Sequence, residues 1–160
     1  MLFIYILINI NFSFANTINY DWRWDKDATI KYEICSDSKL KKEKVKAFIY
    51  YMIEEYEINV NKEEISVYYN YSCPTNPKFE TEYNDTVFIK SFQVNQTQYA
   101  ETTVNWTRHN GIKYIDNATI KYPNNLDRSI EDVVLMHEIG HSLGLGHNNL
   151  DDIMMEKIHQ

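Results

Sequence analysis

Glycine is scarce in this chain: its 160 residues include four, and three of these, Gly140, Gly144 and Gly146, fall within one short stretch. Cysteine is rarer still, and Cys35 and Cys73 allow at most one disulfide. Basic residues cluster nowhere and the formal net charge is −7, which excludes a polyanion such as nucleic acid as the expected partner. No apolar run reaches the roughly 20 residues that a membrane-spanning helix needs. A chain of this length is expected to form one domain with one core.

What is present is concentrated. Three of the five histidines stand in His137-Glu138-Ile139-Gly140-His141-Ser142-Leu143-Gly144-Leu145-Gly146-His147. His137 and His141 are one helical turn apart, so both imidazoles project from the same face. Two neutral imidazoles on one face make half of a tetrahedral zinc site. Glu138 follows the first ligand, where a carboxylate can sit beside a metal without occupying it and act as a general base. A third ligand must arrive from another direction, so the helix has to stop. Gly144 supplies the stop, because glycine takes a left-handed backbone without a Cβ clash, and His147 then returns towards the other two. Three histidines leave a fourth metal position open for water, which is the catalytic rather than the structural pattern. His109 and His159 have no ligand-like spacing and are expected on the surface.

This stretch resembles the zinc signature of the metzincin metallopeptidases, and its wording is most like the matrixin branch. Asp152-Ile153-Met154 is similar to the methionine turn that metzincins place beneath the zinc, with Met155 as the alternative to Met154. The resemblance implies an α+β fold: a twisted mixed sheet with an antiparallel edge strand, one long backing helix and an active-site helix. It implies a monomeric zinc endopeptidase acting on a protein or peptide substrate. In it Glu138 is the base, Met154 an apolar floor under the histidines, and Tyr99, Ala100, Glu101 and Thr102 belong to the substrate-binding edge strand. Matrixins also carry a structural zinc and calcium sites in long Gly-rich loops. With two histidines left over and only Gly111 before the active helix, one catalytic zinc is expected, and no calcium. The matrixin pattern of a proline two residues beyond the methionine is not met, since Glu156 stands there. Metzincins continue further to wall the pocket after the scissile bond, whereas six residues follow Met154 here. The rival expectation is therefore a zinc-stabilised binding module of the same fold with little turnover; a second is a zinc hydrolase of non-protein substrates.

Residues 2–8 are continuously apolar, and Ser13-Phe14-Ala15 places small residues at the −3 and −1 positions of a signal-peptidase site. Residues 1–15 are accordingly expected to be a signal peptide and 16–160 the mature, secreted domain, with no span across a membrane; the alternative is a buried N-terminal strand. By resemblance, the tryptophan-led segment from Tyr20 to Lys26 then introduces the first strand directly, with no inhibitory propeptide. Glycosylation sequons at Asn70, Asn84, Asn95, Asn105 and Asn117 agree with secretion.

The remaining elements follow from periodicity. Thr29–Ile34 and Ile65–Tyr71 read as strands. Between them, Val45, Phe48, Ile49, Met52, Ile53 and Tyr56 form one apolar stripe on a helix over 39–57, with N-caps offered by Ser36, Asp37 and Ser38. Strand, helix, strand implies a right-handed crossover and a parallel pair. Cys35 and Cys73 would then finish at the same sheet edge and bond, although either thiolate could instead ligate zinc as an inhibitor. Residues 74–83 read as loop, Thr86–Lys90 as a strand, and Tyr99–Val104 and Ile112–Ile115 as arms about the turn pair Asn110-Gly111. Ala118–Tyr122 reads as a continuation ended by Pro123. Ser129 is the expected cap of the active helix, with Asp132 as its capping-box partner and Ile130, Val133 and Val134 buried.

Overall fold

The computed structural model describes residues 22–35, 39–75, 82–92, 100–123, 128–148 and 153–154, with the side chains of 92 and 128–130 outside that description. The expected leader, the caps Ser36 to Ser38, the sequon at Asn95, the strand residue Tyr99 and the tail beyond Met154 lie outside the described residues. The elements run β1 (Lys31–Cys35), α1 (Lys42–Glu55), a 3-10 turn (Lys62–Glu64), β2 (Ser66–Asn70), β3 (Thr86–Phe92), β4 (Glu101–His109), β5 (Ile112–Pro123) and α2 (Arg128–Ser142). Among the described residues no helix is long and apolar enough to cross a membrane.

The five strands form one mixed sheet in the order β2-β1-β3-β5-β4. β2, β1, β3 and β5 are parallel to their neighbours, and β4 pairs antiparallel with β5 at the edge. Register explains the core. Tyr32, Val87 and Ala118 lie in one row across β1, β3 and β5, and Ile34, Ile89 and Ile120 in the row two residues on. Period-two alternation sends all six to the same face, where they join the apolar stripe of α1, Leu135 and Ile139 of α2 and Leu143 just beyond it in one buried cluster. The five stripe residues Val45, Ile49, Met52, Ile53 and Tyr56 are buried and Phe48 is partly so. At about 1.5–3 kcal/mol each, their burial supplies on the order of 10 kcal/mol to seat α1 on the sheet.

Several boundaries differ from the sequence expectation, each for a tertiary reason. α1 begins at Lys42 rather than 39, and its N-cap is Lys41, whose side chain makes no cap bond. The cap is supplied from β2: the Lys42 N–H donates to the Tyr69 hydroxyl at 3.3 Å, and that hydroxyl donates to the Leu40 carbonyl at 3.4 Å. α2 begins at Arg128, so Ser129 stands inside its first turn instead of capping it. Asp132 is no capping-box partner either; it pairs with Lys44 of α1 across the helix interface. Val133 and Val134 are only half-buried, while Leu135, Ile139 and Leu143 face the core. β4 runs on to His109, well past Val104, and the two segments flanking Asp116 form the single strand β5, with Pro123 as its last residue. Continuous pairing along the hairpin holds together polar positions that do not alternate, and a register shift at Asn105/Trp106 absorbs the extra residue. Asn110 and Gly111 make its turn with φ of 50° and 82°, the left-handed pair that a two-residue hairpin requires.

Cys35, the last residue of β1, is bonded to Cys73, three residues past the end of parallel β2, with Cα atoms 5.7 Å apart. The pairing expected from the parallel crossover is present.

Candidate metal centre

The centre is built on the C-terminal half of α2 and the turn that ends it. The helix closes in a Schellman motif: the Leu145 N–H donates to the Gly140 carbonyl and the Gly144 N–H to the His141 carbonyl, both at 3.0 Å. Gly144 takes φ of 102°, and a Cβ there would also strike the Trp22 carbonyl. Two carbonyls of the last turn receive indole N–H groups from the N-terminal segment, His141 from Trp22 at 3.3 Å and Ser142 from Trp24 at 2.9 Å. The buried Tyr32 hydroxyl, 2.9 Å from Ser142 Oγ, ties the same turn to β1. The helix end is therefore held by groups more than a hundred residues away in sequence.

The reversal brings three imidazoles together. The Nε2 atoms of His137 and His141 are 3.0 Å apart, those of His141 and His147 3.1 Å, and those of His147 and His137 3.3 Å. His137 Nδ1 lies 2.7 Å from the Ile153 carbonyl and His141 Nδ1 2.8 Å from the Leu145 carbonyl. A carbonyl only accepts, so in both rings Nδ1 carries the proton and Nε2 presents a lone pair inward. Lone pairs facing one another at this range repel unless a cation lies among them. Tetrahedral zinc with Zn–N of about 2.0–2.1 Å needs nitrogens about 3.3–3.4 Å apart, a spacing these rings reach with shifts of a few tenths of an ångström. His137, His141 and His147 form a group that could hold a metal ion. His137 is buried, His141 half-buried and His147 exposed, so the site opens to solvent on the His147 side.

Ile153 and Met154 pack against the helix beside these histidines. Met154 is buried, its thioether lies against Gly140, and its carbonyl accepts from the Asn148 N–H at 3.0 Å. The carbonyl that orients His137 comes from the residue just before it.

Glu138 is buried beside the first histidine. Its carboxyl is pushed up to about 7, chiefly by desolvation, with Glu101 adding to the rise and a hydrogen bond from Thr102 opposing it. The Thr102 hydroxyl lies 2.6 Å from Glu138 Oε2 and 3.0 Å from the Glu138 carbonyl oxygen. Thr102 is on β4, so the edge strand runs directly past the carboxylate. Its neighbour Glu101 is exposed and pairs with Lys121 at 3.0 Å, and Ala100 precedes the strand. Further along the strand, Trp106 is 40% exposed, with Lys113 4.7 Å and Arg108 5.9 Å from its ring.

Sequence reasoning placed Thr102 on the edge strand but missed its contact with Glu138, and it missed both indole contacts to the helix end. The two tryptophans at alternate positions before β1 were the available signal for the latter. His109 is exposed, as expected. The sequons do not share one environment. Asn84 is exposed, whereas Asn117 is 1% exposed and accepts from Asn105 Nδ2 at 2.7 Å. Asn70 is half-buried, donating to Glu33 at 2.5 Å and accepting from the Ser72 N–H at 2.8 Å. Burial leaves no room for a glycan at Asn117, which corrects the expectation there. No protein-family profile matches the chain, and no curated protein matches it at a significant level.

Proposed function

We propose that this chain is a secreted zinc endopeptidase of metzincin type, hydrolysing peptide bonds with one catalytic zinc and Glu138 as general base. The observation that carries the proposal is the convergence of three histidine Nε2 atoms beside a buried carboxylate that an antiparallel edge strand passes. A zinc ion held by His137, His141 and His147 would supply Lewis acidity, drawing the pKa of a water towards neutrality and polarising a peptide carbonyl. The protein residues do the rest. Among the described residues β4 is an edge strand, and an extended peptide can add to such an edge as a further strand. Glu138 accepts the proton of the attacking water and returns it to the departing amine. Desolvation suits it to this exchange, since a carboxyl near neutrality both takes and releases a proton at working pH. Met154 and the Ile153 carbonyl hold the ligand rings and move no proton.

A structural zinc needs no adjacent base, so Glu138 favours a peptidase over a binding module. Secretion is supported by the Cys35–Cys73 bond, which persists in oxidising compartments. The test is cleavage of an unstructured protein and a mixed peptide library by wild type beside Glu138→Ala, both at equal zinc content. Wild-type cleavage abolished by chelator and by the substitution is the expected result. Zinc-loaded wild type no more active than the variant would leave the binding module as the function.

A further inference from the structure

The hydroxyl of Thr102 hydrogen-bonds the Glu138 carboxyl. It reaches two atoms of the same residue, Oε2 at 2.6 Å and the main-chain oxygen at 3.0 Å. The hydroxyl has one proton, and the shorter contact, to Oε2, takes it, with the main-chain oxygen at most sharing it; that bond fixes where the carboxyl sits. Thr102 is itself held: β4 pairs it with Ile120 of β5, and its flanking residues Glu101 and Thr103 are paired with Lys121 and Thr119. As a β-branched residue in a strand it has little rotamer freedom to lose. The short bond is to Oε2, so Oε1 is the oxygen that Thr102 does not engage.

We propose that Thr102 is the positioning residue of the catalytic base: it pins Oε2 of Glu138 so that Oε1 faces the water to be deprotonated. This rests on the peptidase function proposed above. Because Thr102 also lies on the strand that would pair with the substrate, one residue sets the carboxylate and the scissile bond in a common frame. A shift of β4 relative to α2 would move both together, and loss of the hydroxyl would release the carboxylate alone.

The decisive variants are Thr102→Val, which keeps the shape and removes the hydroxyl, and Thr102→Ser, which keeps the hydroxyl. With a charge-assisted bond lost, Thr102→Val is expected to lower kcat by about 10- to 100-fold with KM within about twofold. Thr102→Ser should retain kcat within about threefold of wild type. A second readout needs no activity: melting of the metal-free protein in a cycle of Thr102→Val, Glu138→Ala and the double variant. Measured near pH 4.5, where the Glu138 carboxyl is protonated folded and unfolded, the two single changes in Tm should not add in the double variant, because either one removes the same contact. An active wild type with kcat unaffected in Thr102→Val, a Thr102→Ser as impaired as Thr102→Val, or additive Tm changes would each overturn the inference and leave the peptidase standing. A wild type without zinc-dependent cleavage would overturn the peptidase proposal and this inference with it.

Discussion

Gly140 of α2 lies directly against the thioether of Met154, and a Cβ built on it would contact that sulfur and stand 2.8 Å from Met52 Cε. The absence of a side chain here lets Met154 approach the helix between its two histidines. Gly140→Ala gains about 1 kcal/mol in helix propensity and costs about 1–3 kcal/mol in overpacking. The obstacles are the ends of two flexible methionines, so the fold adjusts. The adjustment displaces Met154, and with it the Ile153 carbonyl that holds His137 Nδ1. Metal affinity is therefore expected to fall about 10- to 100-fold, as for other losses of a ligand's orienting partner, while the Tm of the metal-free protein moves by a few degrees at most. Gly144→Ala is the contrast, because it meets the Trp22 main chain with φ at 102°. It should lower the Tm of the metal-free protein outright. Competition titration with a chromophoric chelator, beside melting curves, separates the two effects; equal Tm losses would contradict the assignment of Gly140 to the centre.

The buried carboxyl of Glu138 makes the metal-free protein sensitive to pH in a defined direction. Its pKa is raised from 4.5 to about 7 on folding. Below pH 4.5 the group is protonated in both states and costs nothing. Between 4.5 and 7 the unfolded chain releases the proton and the folded chain keeps it, so stability falls as pH rises. Above 7 the full cost stands, on the order of 3 kcal/mol for a shift of this size. Glu138→Gln removes this dependence. The variant should be the more stable of the two metal-free proteins at pH 8, and its advantage should vanish towards pH 4.5. Urea unfolding across pH 4–8 measures it, and a difference independent of pH would refute the assignment.

The Cys35–Cys73 bond closes a segment containing α1 and β2, with a sequence separation of 38. None of the three histidines lies within it. Replacing both cysteines by serine is expected to lower stability by about 3–4 kcal/mol, the loop-closure contribution for a segment of this length. Metal stoichiometry should remain one per chain. Loss of metal in that variant would mean that a thiolate had served as a ligand.

How far the chain could be read in advance follows from the range of the interactions involved. The histidines and Glu138 lie within eleven positions, and helical geometry with one glycine turn is enough to bring Nε2 atoms within 3.3 Å. The apolar stripe of α1 and the Asn110-Gly111 hairpin were legible for the same local reason. Thr102 and Glu138 are 36 positions apart, and their contact depends on where β4 falls against α2. Periodicity does not contain that information. The cap of α1 is a tyrosine from β2, so the capping residues sought next to the helix were the wrong ones. Trp22 and Trp24 meet the end of α2 across sequence separations of 119 and 118, a range that local patterns do not carry.

The sequons divide by accessibility, which makes glycan occupancy a test of the mature fold. Asn117 is buried in the sheet and engaged by Asn105. A glycan on its Nδ2 would have to leave through packed strands, and one on Asn105 would disturb the 2.7 Å bond between them. At Asn70 it would displace the hydrogen bond to Glu33. Asn84 is exposed in the turn before β3, where its carbonyl accepts from the Thr86 hydroxyl at 3.0 Å. When the full chain is expressed through a glycosylating secretory pathway, mass spectrometry of the folded product should find Asn84 modified and Asn117 unmodified. Asn84→Gln should remove that glycan without changing metal content. The opposite occupancy, Asn117 carrying glycan in protein that still binds metal, would mean that β5 is not the buried strand between β3 and β4.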